Sequence, residues 1–372
     1  MLLTETQRGT VPAALADALE SAAARSHRTG RPDPEALALL RASGLLGVGV
    51  PPSYGGSGGD AVALNRVVRA LARANPSIAI IAFQHLAVSA RIAEWGSPDQ
   101  RAALLPRLAR GEWLAASAWS EPGAGAAKRR LGCTARRQPD GRWRIDGGKS
   151  FTTGAGLADV YLVLVQTDDA AAGPDTGYGA AGQSFFLVGA DNPALAPDPE
   201  LDLVGMRGSA TGFVTLRECV VDDADRLGPL GQAPSIIAGV RETGATLGAV
   251  SAGIAAAAVD LARTHLRTRG ALTTPELRHR LVDLTTRLEV VDAMIEFTGV
   301  RASALPGLTT LHSKLYASTA AEGICADVAQ LLGSTGFRTD SPVNRMLADA
   351  RAVAHMGPTN DLCRDLVAMS WN

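Results

Sequence analysis

"GGKSFTTGAGLADVYLVLV" occupies residues 147–165. A glycine pair, one aromatic, two threonines and a second glycine-rich turn lead into a run of β-branched and aliphatic residues. Bounded by Gly and Asp, that run reads as a strand. The residues before it are a set able to wall a flat heterocycle through Phe151 and hydrogen-bond its edge through Thr152 and Thr153. Read for packing alone, the same stretch is a strand with Phe151 in its core. Upstream, "SAWSEPGAGAAKRR" (117–130) offers hydroxyls and a Gly-rich turn with free backbone N–H groups, which suit polar ring atoms or anions. Taken by itself it is equally a plain surface loop.

Further out, the period of the pattern divides the chain in three. "GRWRID" (141–146), "DVYLVLVQT" (159–167), "SFFLVGA" (184–190) and "GFVTLRECVV" (212–221) are short and bounded by turn residues, so they predict a small barrel or sandwich over 114–232. Residues 1–113 read as helices. "PEALALLRASGLLG" and "ALNRVVRALARANPSIAIIAFQHLAVSARIAEWG" place apolar residues at i, i+3, i+4 and i+7. "GVPPSYGGSGGD" between them is a loop. From 233 to 372 the helical period returns, with amphipathic runs at 240–268, 276–303, 310–333 and 342–355. The expected class is α+β and multidomain: an N-terminal helical domain, a central β-barrel and a C-terminal four-helix bundle.

Composition excludes several alternatives. The 372 residues carry a net charge of −1 with acids and bases interspersed, so neither nucleic acid nor an anionic membrane surface is an expected partner. Cys133, Cys219, Cys325 and Cys363 lie far apart without a CxxC pair, which fits a reducing cytoplasm rather than a disulfide framework or zinc site. The six histidines are scattered, and no P-loop or serine-hydrolase elbow occurs. No charged n-region precedes an apolar core, so no signal peptide is expected. The longest apolar stretch, "GATLGAVSAGIAAAAVDLA" (244–262), is the one membrane-span candidate. Its alanines and glycines predict a close-packed buried helix instead.

The motifs together resemble the acyl-CoA dehydrogenase family of flavoproteins. "WSEPGAGAA" is similar to its T-E-P-x-x-G-S-D, and "GGKSFTTGAGLAD" to its G-x-K-x-[WF]-I-T-x-x-x-x-A-D. "VPPSYGGSGG", "VGMRGSATGFVTLRECVV" and "AQLLGSTGFRTDSPVNRMLADAR" resemble three more of its segments, in the family's order. The resemblance implies FAD between barrel and bundle, often completed by a neighbouring subunit in a homodimer or homotetramer. It places Ser120 at the flavin edge, Phe151 beside the ring and Thr153 in reach of it, with Trp119, Thr152 and Thr359 among the contacts. Arg269 falls at the arginine that pairs with the pyrophosphate. Gln330, Gly333 and Gly336 fall on the adenosine-side segment supplied across the dimer. Read without the resemblance, Arg269 is a solvated helix end.

The implied chemistry is α,β-dehydrogenation of an acyl thioester on CoA or on a carrier-protein arm, in a specialised biosynthetic setting, with an electron-accepting flavoprotein as partner. Such chemistry needs a base over the α-carbon. Many relatives supply it as the glutamate of a Glu-Gly-Thr, but "AHMGPTNDL" (354–362) has Gly357, Pro358 and Thr359 there. In other branches the base sits on the first bundle helix. Here that place is Thr243 with Glu242 beside it, one residue and so about 100° away on a helix. Glu242 is the expected catalytic residue, with His355 and Asp361 flanking the break as weaker candidates. Ala126 and Ala127 replace the family's Ser-Asp, Ala348 replaces an arginine, and "RTRGALTTPELRHRLVDL" lacks the usual phenylalanine-glycine and glutamine. These departures admit two alternatives: a flavin-dependent monooxygenase on the same fold, or a non-catalytic FAD- or acyl-binding relative.

Overall fold

The computed structural model describes residues 11–123, 130–167, 179–199 and 201–371. Among the described residues, five helices come first: α1 (Ala13–Thr29), α2 (Pro34–Ala42), α3 (Ala61–Ala74), α4 (Pro76–Trp95) and α5 (Pro98–Ala109). Their starts are encoded locally. The side chains of Asp33, Asp60, Asn75 and Ser97 each accept a backbone N–H of the first turn, and proline opens α2, α4 and α5, where its missing N–H costs nothing.

The chain then enters strands β1 (Ala115–Ala118), β2 (Thr134–Arg137), β3 (Trp143–Thr152), β4 (Val160–Gln166), β5 (Gln183–Gly189), β6 (Leu195–Asp198), β7 (Gly212–Val221) and β8 (Arg226–Leu227). They form one sheet in the order β6-β7-β3-β2-β4-β5-β8, with β1 parallel to β4. Every strand expected from the sequence is present. β1, β2, β6 and β8 were not foreseen, because two to four residues carry too little alternation to read.

Six more helices complete the fold: α6 (Ala233–Glu242), α7 (Gly248–Thr268), α8 (Pro275–Gly299), α9 (Pro306–Leu331), α10 (Pro342–His355) and α11 (Asn360–Ala368). The run expected to be continuous over 240–268 is broken. Thr243 caps α6, and Gly244 turns the chain with a φ of 83° before α7 begins. α7 is the close-packed helix its composition predicts. A Cβ on Gly253 would meet Ala72 Cβ at 2.6 Å and Arg73 N at 2.7 Å. Among the described residues, the helix long and apolar enough to cross a membrane is instead Pro76–Trp95, 72% of it buried within the fold. α3, α4 and α7 to α10 share one apolar core, including Val67, Leu71, Ile254, Val259, Leu288 and Ile324, while the sheet builds its own around Tyr161, Val163 and Phe186.

Two buried ionisable groups join these layers. His85 on α4 is fully buried; its Nε2 faces the Leu46 carbonyl at 3.2 Å, and its Nδ1 accepts the Ala115 N–H at 3.2 Å. Burial pushes its pKa down to about 4. Asp349 on α10 accepts the Met206 N–H at 2.6 Å, and burial pushes its pKa up to about 6. Between about pH 4 and 6 the unfolded chain protonates His85 where the native state does not, so stability rises with pH. Asp349 acts oppositely, because the native state keeps a proton that the unfolded chain has released. Each contribution is on the order of 2–3 kcal/mol across the window, and the two offset. Asp349→Asn removes the falling contribution. Its melting temperature is expected to climb more steeply than the parent's from pH 4 to 6; parallel profiles would count against a protonated Asp349.

Candidate functional site

A cleft of about 1180 Å³ opens where the sheet meets α4, α6 and α10. That exceeds the roughly 300–1,000 Å³ of an ordinary small-molecule pocket, leaving room for two groups side by side. One wall is the α4 face of Phe83, Gln84, Ala87, Val88 and Arg91; another is α10 and the turn after it, with Ala348, Arg351, Ala352, His355, Met356, Gly357 and Thr359. Trp119, Ser120, Ser150, Phe151, Thr153 and Thr211 bring the sheet side.

The sheet wall owes its shape to a buried ion pair. Glu121 Oε1 lies 2.6 Å from Lys149 Nζ, with side chains 5% and 0% exposed. Lys149 also donates to the Leu164 carbonyl, and Glu121 accepts the N–H groups of Gly132 at 2.6 Å and Cys133 at 3.1 Å. The Ser150 N–H donates to the Ser120 carbonyl at 2.8 Å. The two stretches singled out in the sequence are thereby fastened to each other. Neither member of the pair was among the expected site residues. A signal was present: only three of the 36 basic residues are lysines, and Lys149 lies within the motif stretch already singled out.

The pairing of β3 with β7 shifts register between Lys149 and Thr152. This irregularity turns Phe151 out of the sheet, with a φ of 52° and 65% of its surface exposed, while Ser150 and Thr152 stay buried. A bulky side chain in the left-handed region is strained, and such strain collects at functional positions. The core reading of Phe151 is therefore overturned. Thr153 Oγ1 lies 3.1 Å from Thr211 Oγ1 at the cleft wall. Thr152 does not line the cleft; its hydroxyl is buried without a hydrogen-bond partner, as is the indole N–H of Trp119.

The Gly357–Pro358 peptide is cis and separates α10 from α11. Thr359 caps α11 by accepting the Leu362 N–H at 3.2 Å. Behind it the buried Lys314 donates to Asn360 Oδ1 at 2.7 Å and to the Ala354 carbonyl at 3.3 Å, its pKa lowered by burial to about 8. The break thus presents Met356, Gly357 and Thr359 to the cleft.

The expected base does not reach this cleft. Glu242 Oε2 accepts the Gly307 N–H at 3.2 Å at the start of α9, and Glu242 is not among the lining residues. With α6 ending at Glu242, the carboxylate is drawn to a helix N-terminus, a favourable place for an anion. Asp361 is exposed and bonded to Arg364 at 2.7 Å. The titratable side chains that do line the cleft, among the described residues, are Arg91, Glu121, Arg351 and His355. Arg269, Gln330 and Gly333 are exposed away from it, and Gly336 is buried against α9 with Phe337 beside it 93% exposed. Ala126 and Ala127 lie outside the described residues. All four cysteines are free and buried, and no metal-ligating cluster occurs among the described residues.

Three sequence families match in chain order: acyl-CoA dehydrogenase N-terminal domain over residues 4–112, middle domain over 116–219 and C-terminal domain over 235–371. The cyclohexane-1-carbonyl-CoA dehydrogenase of Geobacter metallireducens is 31% identical over 374 residues, covering 96% of this chain and 94% of that protein. The L-prolyl-[peptidyl-carrier protein] dehydrogenase of Pseudomonas fluorescens is 28% identical, covering 89% and 88%. The structure of butyryl-CoA dehydrogenase from Megasphaera elsdenii superposes with a TM-score of 0.88 at 23% identity, over 100% of this chain and 99% of that one.

Proposed function

Since the chain belongs to the acyl-CoA dehydrogenase family, we propose that it binds FAD in the cleft and dehydrogenates the α,β-bond of an acyl thioester, carried on CoA or on a carrier-protein arm. The observation that carries this reading is Phe151, held in a strained backbone conformation with its ring exposed at the cleft and hydroxyls on either side. The residues present fit the cofactor. Phe151 offers an apolar platform, Ser120 and Thr153 edge contacts, and Trp119 an N–H without a partner. The cleft volume leaves space for an acyl arm next to the ring.

The cofactor, when bound, supplies a hydride acceptor for the β-carbon. The chain's own part is to hold the thioester and take the α-proton. Glu121 is committed to Lys149, and arginine does not act as a base near neutrality. His355, the last residue of α10, remains among the described lining side chains, and it is the base we assign. The three units of 1–113, 114–232 and 233–372 are proposed as domains, the strand-bearing one between two helical ones. A homodimer or homotetramer is proposed as the working form. Arg269, Gln330, Gly333 and Gly336 then serve a neighbouring cleft, a role supported by the exposure of Arg269, Gln330 and Phe337.

The lack of an uncommitted carboxylate at the described cleft wall favours one second reading, a flavin-dependent monooxygenase, which needs no α-proton base. The test is spectroscopic. Purified protein is expected to be yellow, and an acyl thioester added without oxygen to bleach it. Oxygen uptake coupled to substrate hydroxylation, with no anaerobic bleaching, would establish the second reading and remove the first.

A further inference from the structure

Arg91 is 4% exposed, lies on the α4 face and lines the cleft. Neither its Nε nor its Nη1 has a hydrogen-bond partner. Nη1 is 3.0 Å from Glu94 Oε2, an ion pair whose carboxylate side chain is 48% exposed to solvent. A buried guanidinium is ordinarily bonded at most of its five donors, because an unpaired one forfeits its hydration. The cleft holds no acid to meet it among the described residues, since Glu121 is neutralised by Lys149. Of the cleft's lining residues Phe151 is 65% exposed and Arg91 4%. A Cβ on Gly239 of α6 would lie 3.7 Å from Arg91 Nη1, so the guanidinium sits at the α4–α6 seam. Val88, Val240 and Leu247 make the approach to it apolar.

We propose that Arg91 is a specificity-determining residue and that the acyl group carries a carboxylate at the end remote from the thioester, which pairs with this guanidinium. The inference deepens the reading above and rests on it for the thioester. An apolar approach to one buried cation selects by length and charge together. A carboxylate of the right reach gains a charge-assisted, two-point contact. An uncharged chain of equal length leaves the guanidinium with the half-exposed Glu94 alone and its donors short of hydrogen bonds, which costs affinity.

The test uses the flavin-loaded protein and two CoA thioesters of equal chain length, one ending in a methyl and one in a carboxylate. Titration calorimetry gives affinities without turnover, and anaerobic bleaching is followed in parallel. The carboxylate-ended thioester is expected to bind at least tenfold more tightly. In Arg91→Met that ratio is expected to fall to about one, and in Arg91→Lys to recover in part, because the charge returns without the fork. Melting temperatures identify any variant that does not fold, and Arg91→Lys then carries the comparison. Equal binding of the two thioesters, no binding of either, or a preference that survives in Arg91→Met overturns the assignment. Preferential binding without bleaching upholds the anion site and removes the dehydrogenase reading; bleaching without preference does the reverse.

Discussion

Lys149→Met is expected to lower stability by about 3–5 kcal/mol, the cost of leaving a buried charge without its partner. The methionine fills nearly the same volume, so the loss is electrostatic rather than a cavity. Glu121 would keep the N–H groups of Gly132 and Cys133 but lose the cation, and the Leu164 carbonyl would lose its donor. Against the roughly 5–15 kcal/mol that hold a typical domain together, that is a large share. The consequence extends to the cofactor. With the pair gone, the Ser120 and Phe151 segments keep the Ser150 N–H bond to the Ser120 carbonyl but lose the side-chain tie, and flavin content after purification should fall with the denaturation midpoint. Adding Glu121→Gln to Lys149→Met should recover part of the loss, because the orphaned charge is removed while an acceptor is retained. Denaturant titration of the three variants with visible absorbance checks this. A midpoint for Lys149→Met equivalent to less than 1 kcal/mol of loss would show that the pair is dispensable.

This ion pair also marks the limit of what was legible in the sequence. Period and turn residues located the long strands and most helices, since each depends on neighbours within a dozen positions. The two motif stretches were found for the same reason. Their connection was not, because residues 121 and 149 meet only when β3 lies beside the preceding loop. Phe151 shows a second limit. The sequence left it either walling a heterocycle or packed in a strand core, and a shift of register against β7, invisible in one strand's own residues, decides against the core. Glu242 shows a third. The resemblance put the base's place at Thr243 on a helix read as unbroken, with Glu242 one residue away, whereas the turn at Thr243–Leu247 ends α6 and leaves the Glu242 carboxylate capping α9. Arg91 was passed over because one arginine in an apolar helix reads as a surface position until the fold closes over it.

His355→Gln is expected to reduce the rate of anaerobic flavin bleaching by about 10²–10⁴-fold, the usual contribution of a positioned general base. The argument proceeds from the cleft's inventory. A proton leaving the α-carbon needs a lone pair within hydrogen-bond reach, directly or through one water. Glu121 is occupied by Lys149, Gly132 and Cys133, while Arg91 and Arg351 are cations. An imidazole nitrogen carries a lone pair able to accept the proton, and the exposure of His355 opens a path from it to solvent. Glutamine keeps the size and a hydrogen-bonding head but has no basic nitrogen, so thioester affinity should change little while the bleaching rate falls. Glu242→Gln serves as the contrast. Its carboxylate bonds a helix start, so the variant should lose some stability through the Gly307 N–H and keep its rate. If instead Glu242→Gln abolishes bleaching and His355→Gln leaves it untouched, α6 must rearrange when substrate binds and the base belongs to Glu242.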